Sequence, residues 1–174
     1  MRTAIGVSRA LLTLMPRTDP AAKPMTVLVA DDDDDMRSLV AETFRSDGYT
    51  VIEARDGAEL LDLLEHAFDD PRALPDVVVT DVMMPHLSGL GVLDALQRAH
   101  LHFPVILMTV LADESVHAVA RRLGALGVLH KPFDVDDLRT AVMNAVVAYA
   151  RIPPRSARQE ATDGGAAPHD ITAK

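Results

Sequence analysis

Polar residues that could bind a cation and a phosphoryl group follow four short apolar runs. Asp31 and Asp32 follow the first run and open a stretch of five consecutive aspartates. Asp81, Thr109 and Lys131 follow three later runs in the same way. Three carboxylates suit a hard divalent cation such as Mg²⁺, which prefers oxygen ligands and keeps several of its waters. A hydroxyl and an ammonium group can donate hydrogen bonds to the oxygens of a phosphoryl group.

The apolar runs that precede these residues have the length and composition of buried strands. They cover residues 26–30, 50–54, 76–80, 104–109 and 127–130, and are rich in Val, Ile and Leu. Between the runs, apolar residues recur every three to four positions, as on one face of a helix. In the first helix this stripe is Met36, Leu39, Val40, Thr43 and Phe44. The alternation predicts an α/β fold with helices on both faces of a parallel sheet, which binds ligands beyond the carboxyl ends of its strands.

The composition is that of a globular protein with a single domain. The chain has 174 residues, of which 48% are hydrophobic, and it has no cysteine, which excludes disulfides and thiolate metal sites. Residues 25–150 hold 9 basic and 22 acidic groups, a net charge of −13. Because such a surface repels phosphate backbones, we expect no nucleic-acid partner. No apolar stretch reaches the roughly 20 residues of a membrane span, so we expect a cytoplasmic protein without a membrane partner.

Four fragments resemble the receiver domain of two-component response regulators. They are VLVADDDDDM, VVVTDVMMPHLSG, VILMT and VLHKPF, in this order and spacing. The resemblance covers residues 25–150 and implies the five-stranded, doubly wound flavodoxin-like fold with strand order 2-1-3-4-5. Residues 1–24 are then an N-terminal extension and residues 151–174 a C-terminal tail. We expect both to be flexible because they are proline-rich or lack an apolar period.

The resemblance implies which acids bind Mg²⁺ and which one accepts the phosphoryl group. Asp81 would be the phosphoacceptor, whose carboxylate attacks a phosphohistidine on a partner and becomes an acyl phosphate. Asp32 and Asp81 would bind Mg²⁺ directly, and Asp31 would help through a water molecule. The backbone carbonyl of Met83 would be a further ligand. The remaining aspartates of the run, residues 33–35, fall where the first helix begins and are expected to cap it.

The resemblance also implies roles for two residues late in the chain. Lys131 would pair with the charge of the incoming phosphoryl group, and Thr109 would turn its hydroxyl onto a phosphoryl oxygen after transfer. The resemblance also implies a cis peptide between Lys131 and Pro132, because the tertiary amide before proline has only a small preference for the trans isomer. The aromatic residue usual in strand five is replaced by Val128, so the signal is expected to rest on loop motion.

These roles predict a phosphoacceptor response regulator in a phosphorelay, and not an enzyme beyond its own phosphorylation and dephosphorylation. A sensor histidine kinase or a histidine phosphotransfer protein would supply the phosphoryl group, and an unidentified protein target would receive the signal. No output domain follows residue 150, which predicts a stand-alone receiver, and the sequence leaves open whether it forms a homodimer.

Two alternatives predict different chemistry. A phosphohydrolase of the haloacid dehalogenase type would use Asp31 as its nucleophile. In that family the acidic pair follows the lysine, whereas here the acidic pair comes first. A binding-only pseudo-receiver would lack one of the site residues, and none is missing.

Overall fold

The computed structural model describes residues 24–67, 70, 73–111 and 113–151, in which strands and helices alternate. The strands are β1 (Thr26–Ala30), β2 (Thr50–Ala54), β3 (Val77–Asp81), β4 (Val105–Thr109) and β5 (Gly127–His130). The helices are α1 (Asp34–Ser46), α2 (Gly57–Ala67), α3 (Gly89–Arg98), α4 (Glu114–Arg122) and α5 (Val135–Ala150). The predicted extension and tail lie outside the described residues, apart from Pro24 and Arg151. No helix in these ranges is long and apolar enough to cross a membrane.

The five strands form one parallel sheet in the order β2-β1-β3-β4-β5, which confirms the predicted fold and topology. The third strand was predicted at 76–80 and lies one residue later at both ends, and the fourth, predicted at 104–109, starts one residue later. Asp76, just before β3, is joined to Thr26 of β1 twice: its carboxylate accepts a hydrogen bond from the Thr26 N–H at 2.7 Å, and its own N–H donates to the Thr26 carbonyl oxygen at 2.8 Å. Asp81 lies inside β3, where it pairs with Met108 of β4. The phosphoacceptor candidate is therefore held by the sheet itself.

Alternate residues of the central strands pack into two separate core layers. The layer on one face joins the sheet to α2, α3 and α4, and includes Leu28, Val78 and Leu107. The layer on the other face joins the sheet to α1 and α5, and includes Val29 and Val79. Both faces of the sheet are covered, as the continuous apolar runs predict.

Helix α1 turns Met36, Val40 and Phe44 of its predicted stripe to the core, but not Leu39. Its buried residues are Arg37, Val40, Ala41 and Phe44. Leu39, which the stripe predicted to be buried, is 50% exposed. The prediction was wrong because Arg37 finds carbonyl and carboxylate partners beneath the helix, which let a cation take a place in the buried stripe.

Asp33 and Gly48 fix the two ends of α1, and the cap at Asp33 explains part of the aspartate run. Asp33 Oδ1 accepts hydrogen bonds from the N–H groups of Asp35 and Met36, at 2.9 and 3.1 Å, which confirms the expected cap. At the other end, Gly48 has a φ of +89°, and its N–H donates to the carbonyl oxygen of Arg45 at 3.0 Å. Only glycine adopts this backbone conformation without strain, so the helix ends there.

Candidate functional site

The ammonium group of Lys131 bridges two buried carboxylates at the carboxyl ends of the strands. Its Nζ lies 2.7 Å from Asp31 Oδ2 and 2.7 Å from Asp81 Oδ1. The two aspartates are only 1% and 4% exposed. Burying two like charges side by side is costly unless a cation lies between them, and Lys131 supplies that cation. The peptide that follows it, Lys131–Pro132, is cis, as the family resemblance led us to expect.

The period-two alternation of the strands brings these three side chains to the same face. Val29 and Val79 point into the layer beneath α1 and α5, and Leu129 of β5 packs against the same layer. Two residues further along each strand, Asp31, Asp81 and Lys131 continue that direction. This alternation was readable from the sequence, and it distinguishes Asp31 from Asp32, which is exposed.

For both Asp31 and Lys131, burial and hydrogen bonding shift the pKa in opposite directions. Burial raises the pKa of the Asp31 carboxyl above its ordinary value, and hydrogen bonds from Lys131 and from the Asp33 N–H offset only part of the rise. Burial also acts to lower the pKa of Lys131, but its hydrogen bonds to Asp31 and Asp81 outweigh that effect, and the pKa is raised. Lys131 is therefore a permanent cation near neutral pH.

The loop after β3 fixes the second oxygen of Asp81. The N–H of Met83 donates a hydrogen bond to Asp81 Oδ2, while Oδ1 faces Lys131. The loop then turns back, so that the N–H of Gly89 binds the carbonyl oxygen of Val82 at 3.1 Å. A Cβ atom at Gly89 would overlap the Asp81 carbonyl oxygen, so only glycine lets α3 begin this close to the acceptor.

The Thr109 hydroxyl is hydrogen-bonded to the loop that follows β4, and it makes no hydrogen bond to Asp81 in the described part of the chain. The residue is fully buried, and its hydroxyl oxygen accepts a hydrogen bond from the N–H of Leu111 at 3.0 Å. Its own carbonyl oxygen accepts a hydrogen bond from the Lys131 N–H at 2.7 Å, which joins the ends of β4 and β5. Val128 pairs with Leu107 of β4 and packs against the layer beneath α2, α3 and α4. The Thr109 hydroxyl is thus bound to the loop that follows β4.

The predicted Mg²⁺ ligands are only partly gathered. Within the described ranges, no group of three or more His, Cys, Asp or Glu side chains is arranged to hold a metal ion. Asp31 and Asp81 share Lys131, whereas Asp32 is exposed. The donor set nevertheless fits a hard dication, because three carboxylates and one ammonium leave two negative charges for it to neutralise. The assignment of individual ligands, including the Met83 carbonyl, stays a prediction.

Arg37 contacts the site, although sequence reasoning did not identify it. Its guanidinium is buried beneath the acidic run, and Nη1 donates a hydrogen bond to the carbonyl oxygen of Asp31 at 2.8 Å. The signal in the sequence was its spacing of three and seven residues from the apolar Val40 and Phe44. A charged residue at that spacing is easily assigned to the solvent face instead.

Comparisons with known proteins agree with this geometry. A family model of the response regulator receiver domain matches residues 27–143. The transcriptional regulatory protein PdtaR of Mycobacterium tuberculosis is 34% identical over 140 residues, which are 79% of this chain and 64% of that protein. The chain spans between 25% and 64% of the length of its curated relatives.

Solved structures match the chain over nearly their full length. The receiver domain of Francisella response regulator 1452 is 30% identical with a TM-score of 0.61, covering 71% of this chain and 97% of that one. A response regulator receiver domain protein from Clostridium thermocellum is 29% identical with a TM-score of 0.64, covering 74% and 99%. The match therefore extends over the sheet, the helices and the strand ends.

Proposed function

Because this chain belongs to the response regulator receiver domain family of two-component signal transduction, we propose that it accepts a phosphoryl group on Asp81. The observation that carries the proposal is the fixed acceptor carboxylate, with one oxygen at the Lys131 ammonium and the other at the Met83 N–H. The family is a signalling family, so the chain's chemistry is a single transfer to its own side chain rather than turnover of a substrate.

In the transfer, an Asp81 oxygen forms a bond to phosphorus while the bond from phosphorus to the donor nitrogen breaks. The donor imidazole keeps the electron pair and takes up a proton, and Asp81 becomes an acyl phosphate. Lys131 is already within hydrogen-bonding distance of Asp81, so its ammonium can follow the charge from the carboxylate to a phosphoryl oxygen.

Asp31, Asp32, Asp81 and the Met83 carbonyl are the groups that would hold Mg²⁺. Receiver domains generally use this ion, which when bound neutralises the acids and polarises the phosphoryl oxygens. The chain's own contribution is the placement of Asp31, whose carboxylate is held by Lys131 and by the Asp33 N–H at 3.1 Å.

Thr109 couples phosphorylation of Asp81 to the exposed loop that follows β4. Its hydroxyl would leave the Leu111 N–H and donate to a phosphoryl oxygen, which releases the loop that follows β4 from its present hydrogen bond. Val128 replaces the usual aromatic residue, so we assign the readout to this loop. Val110 and Leu111 are both exposed on it, where a protein target could contact them.

The partners follow from the same chemistry. The phosphoryl donor is a sensor histidine kinase or a histidine phosphotransfer protein, and the target is a protein whose identity is open. We exclude nucleic acid as a partner of residues 25–150 because their net charge is −13. Relatives that are transcriptional regulators are matched over only part of their length.

Acetyl phosphate labelling tests the proposal directly. Purified protein incubated with acetyl phosphate and Mg²⁺ should gain the mass of one phosphoryl group, and excess chelator should abolish the gain. The reason is that the anionic donor must approach three carboxylates whose charge one ammonium only partly offsets. Intact-mass spectrometry is the measurement. Labelling that is undiminished by chelator would contradict the metal's role, and no labelling by acetyl phosphate or by phosphohistidine proteins would contradict the function.

Phosphorylated Asp81 should lose its phosphoryl group slowly. Hydrolysis needs a water molecule held in line behind phosphorus, and polar side chains near the site can orient one. Met83 and Leu111, two positions beyond Asp81 and Thr109, are 55% and 39% exposed, and neither can hold water by hydrogen bonding. We expect Met83→Asn and Leu111→Glu together to speed decay by about tenfold or more.

The decay is measured by loading the protein, removing the donor and following the intact mass over time. Met143→Asn is the matched control, because Met143 is equally exposed on α5 but lies outside the site. Val110→Ala tests separately whether the bulk of Val110 limits the access of water to the site, since it removes bulk without adding a polar group. If neither polar substitution speeds decay, singly or together, the water-orientation argument is wrong for this chain.

A further inference from the structure

Arg37 is a buried cation that the phosphoryl chemistry does not use. It lies in the first turn of α1 and is 8% exposed, whereas the neighbouring Asp34 is exposed. A guanidinium keeps its charge in proteins, and a hydrogen bond to Asp34 raises its pKa further. Burying such a group is unfavourable unless each of its donors finds an acceptor, so its partners indicate why it is there.

The three arms of the guanidinium reach three separate parts of the fold. Nη1 donates to the main-chain carbonyl oxygen of Asp31 at 2.8 Å, and Nη2 donates to Asp34 Oδ1. Nε lies 3.4 Å from Glu53 Oε2 on β2, and the other oxygen of Glu53 lies 2.7 Å from Arg45 Nη2. Arg37 therefore ties the acidic loop both to its own helix and to the edge of the sheet.

The carbonyl that Arg37 holds belongs to the peptide unit joining Asp31 to Asp32. Because that unit is planar, a hydrogen bond to its oxygen restricts the backbone of both acids at once. The Asp31 side chain is held independently by Lys131. Arg37 thus holds the main chain of the acidic pair from below, while repulsion among five consecutive carboxylates favours a more open loop.

We propose that Arg37 is a positioning residue that sets the Mg²⁺ affinity of Asp31 and Asp32 by fixing the main-chain carbonyl between them. This inference rests on the proposed function, which makes these acids metal ligands. Charge alone predicts the opposite sign, since removing a nearby cation would strengthen the binding of another cation. Asp34 and Glu53 already neutralise the guanidinium, so we expect placement to outweigh charge.

The test is Mg²⁺ titration of the metal-free protein by calorimetry, together with the rise in Tm that Mg²⁺ produces. Arg37→Met should bind Mg²⁺ at least about tenfold more weakly than wild type, as expected when a residue that orients a metal ligand is lost. Arg37→Lys, which keeps the charge but loses the planar fork, should fall between the two. At saturating Mg²⁺ the rate of Asp81 labelling should return to near the wild-type rate, because only affinity has changed.

Arg45→Met is the matched control. It makes the same substitution on the same helix and removes the other arginine on Glu53, but Arg45 makes no hydrogen bond to Asp31 in the described structure. We expect its Mg²⁺ affinity to stay within about twofold of wild type, because exposed ion pairs of this kind contribute little. An equal loss of affinity in Arg45→Met would assign the effect to lost stability or to the shared partner Glu53, and would overturn the inference.

Whether Arg37→Met binds Mg²⁺ more weakly or more tightly than wild type decides between positioning and charge. Unchanged or tighter Mg²⁺ binding in this variant would overturn the inference. If thermal unfolding shows that Arg37→Met does not fold, Arg37→Lys decides by the same criterion, and wild-type affinity in it overturns the inference. If the wild-type protein binds no Mg²⁺, the metal's part in the proposed function is contradicted. That result is seen in the wild type alone, so it is distinguishable from a failure of the inference, which is seen as a difference between variants.

Discussion

Asp81→Asn should take up no phosphoryl group under conditions in which the wild-type protein takes up one. The amide that replaces the carboxylate is not a nucleophile, so labelling should fall by more than about a hundredfold. The substitution keeps the size of the side chain, and the one oxygen of the new amide can still accept a hydrogen bond from either Lys131 or the Met83 N–H. We therefore expect the variant to fold. Intact-mass spectrometry after exposure to acetyl phosphate and Mg²⁺ is the measurement.

Peptide mapping of the labelled wild-type protein distinguishes this result from the phosphohydrolase alternative. Label on the peptide that contains Asp31 would make the first strand the source of the nucleophile, as that alternative requires. We expect none, because Asp31 is one of the acids proposed to hold Mg²⁺ and Asp81 is the proposed acceptor. Equal labelling of Asp81→Asn and wild type would remove Asp81 from the role proposed for it.

Lys131→Met should destabilise the metal-free protein by about 3 kcal/mol, because removing one partner leaves buried carboxylates uncompensated. Its ammonium lies 2.7 Å from both Asp31 and Asp81, and methionine fills similar space without charge. Mg²⁺ should restore part of the lost stability, since a dication can neutralise the same two acids. Chemical denaturation with and without Mg²⁺ measures both effects.

The loss of stability that Lys131→Met causes, relative to wild type, should increase as the pH rises. Burial already raises the pKa of Asp31 above 3.8, and losing the ammonium raises it further. A carboxyl whose pKa is higher in the folded than in the unfolded state contributes stability below the unfolded pKa. That contribution is lost as the pH rises through the folded pKa. The gap between variant and wild type should therefore narrow as the pH falls toward 3.8.

Arg139→Met is the matched control for this experiment. Arg139 lies inside α5 near its start, and its guanidinium pairs with Asp47 at the end of α1, with Nε 2.6 Å from Oδ2. The pair is partly exposed, so its loss should destabilise the protein much less than the loss of Lys131 and should not respond to Mg²⁺. Equal destabilisation of the two variants, or no effect of Mg²⁺ on Lys131→Met, would contradict the bridging role of Lys131.

Local pattern was enough to determine the α/β fold class and the edge of the sheet that carries the site, whereas the strand order followed from the resemblance to receiver domains. Continuous apolar runs marked the buried strands, and the rule that parallel sheets bind ligands beyond their carboxyl ends selected Asp31, Asp32, Asp81, Thr109 and Lys131. The structure places all five at or directly after the ends of β1, β3, β4 and β5. These predictions held because strand burial and helix capping depend on residues close together in the chain.

Only the tertiary structure decided which of these side chains meet. Lys131 contacts Asp31 across 100 residues of sequence and bridges it to Asp81. Arg37 is buried and Leu39 is exposed, which reverses the order that hydrophobicity predicts. The physical reason is that a cation's place depends on acceptors from distant parts of the chain, such as Glu53 on β2, and the sequence around Arg37 contains no sign of that residue's position.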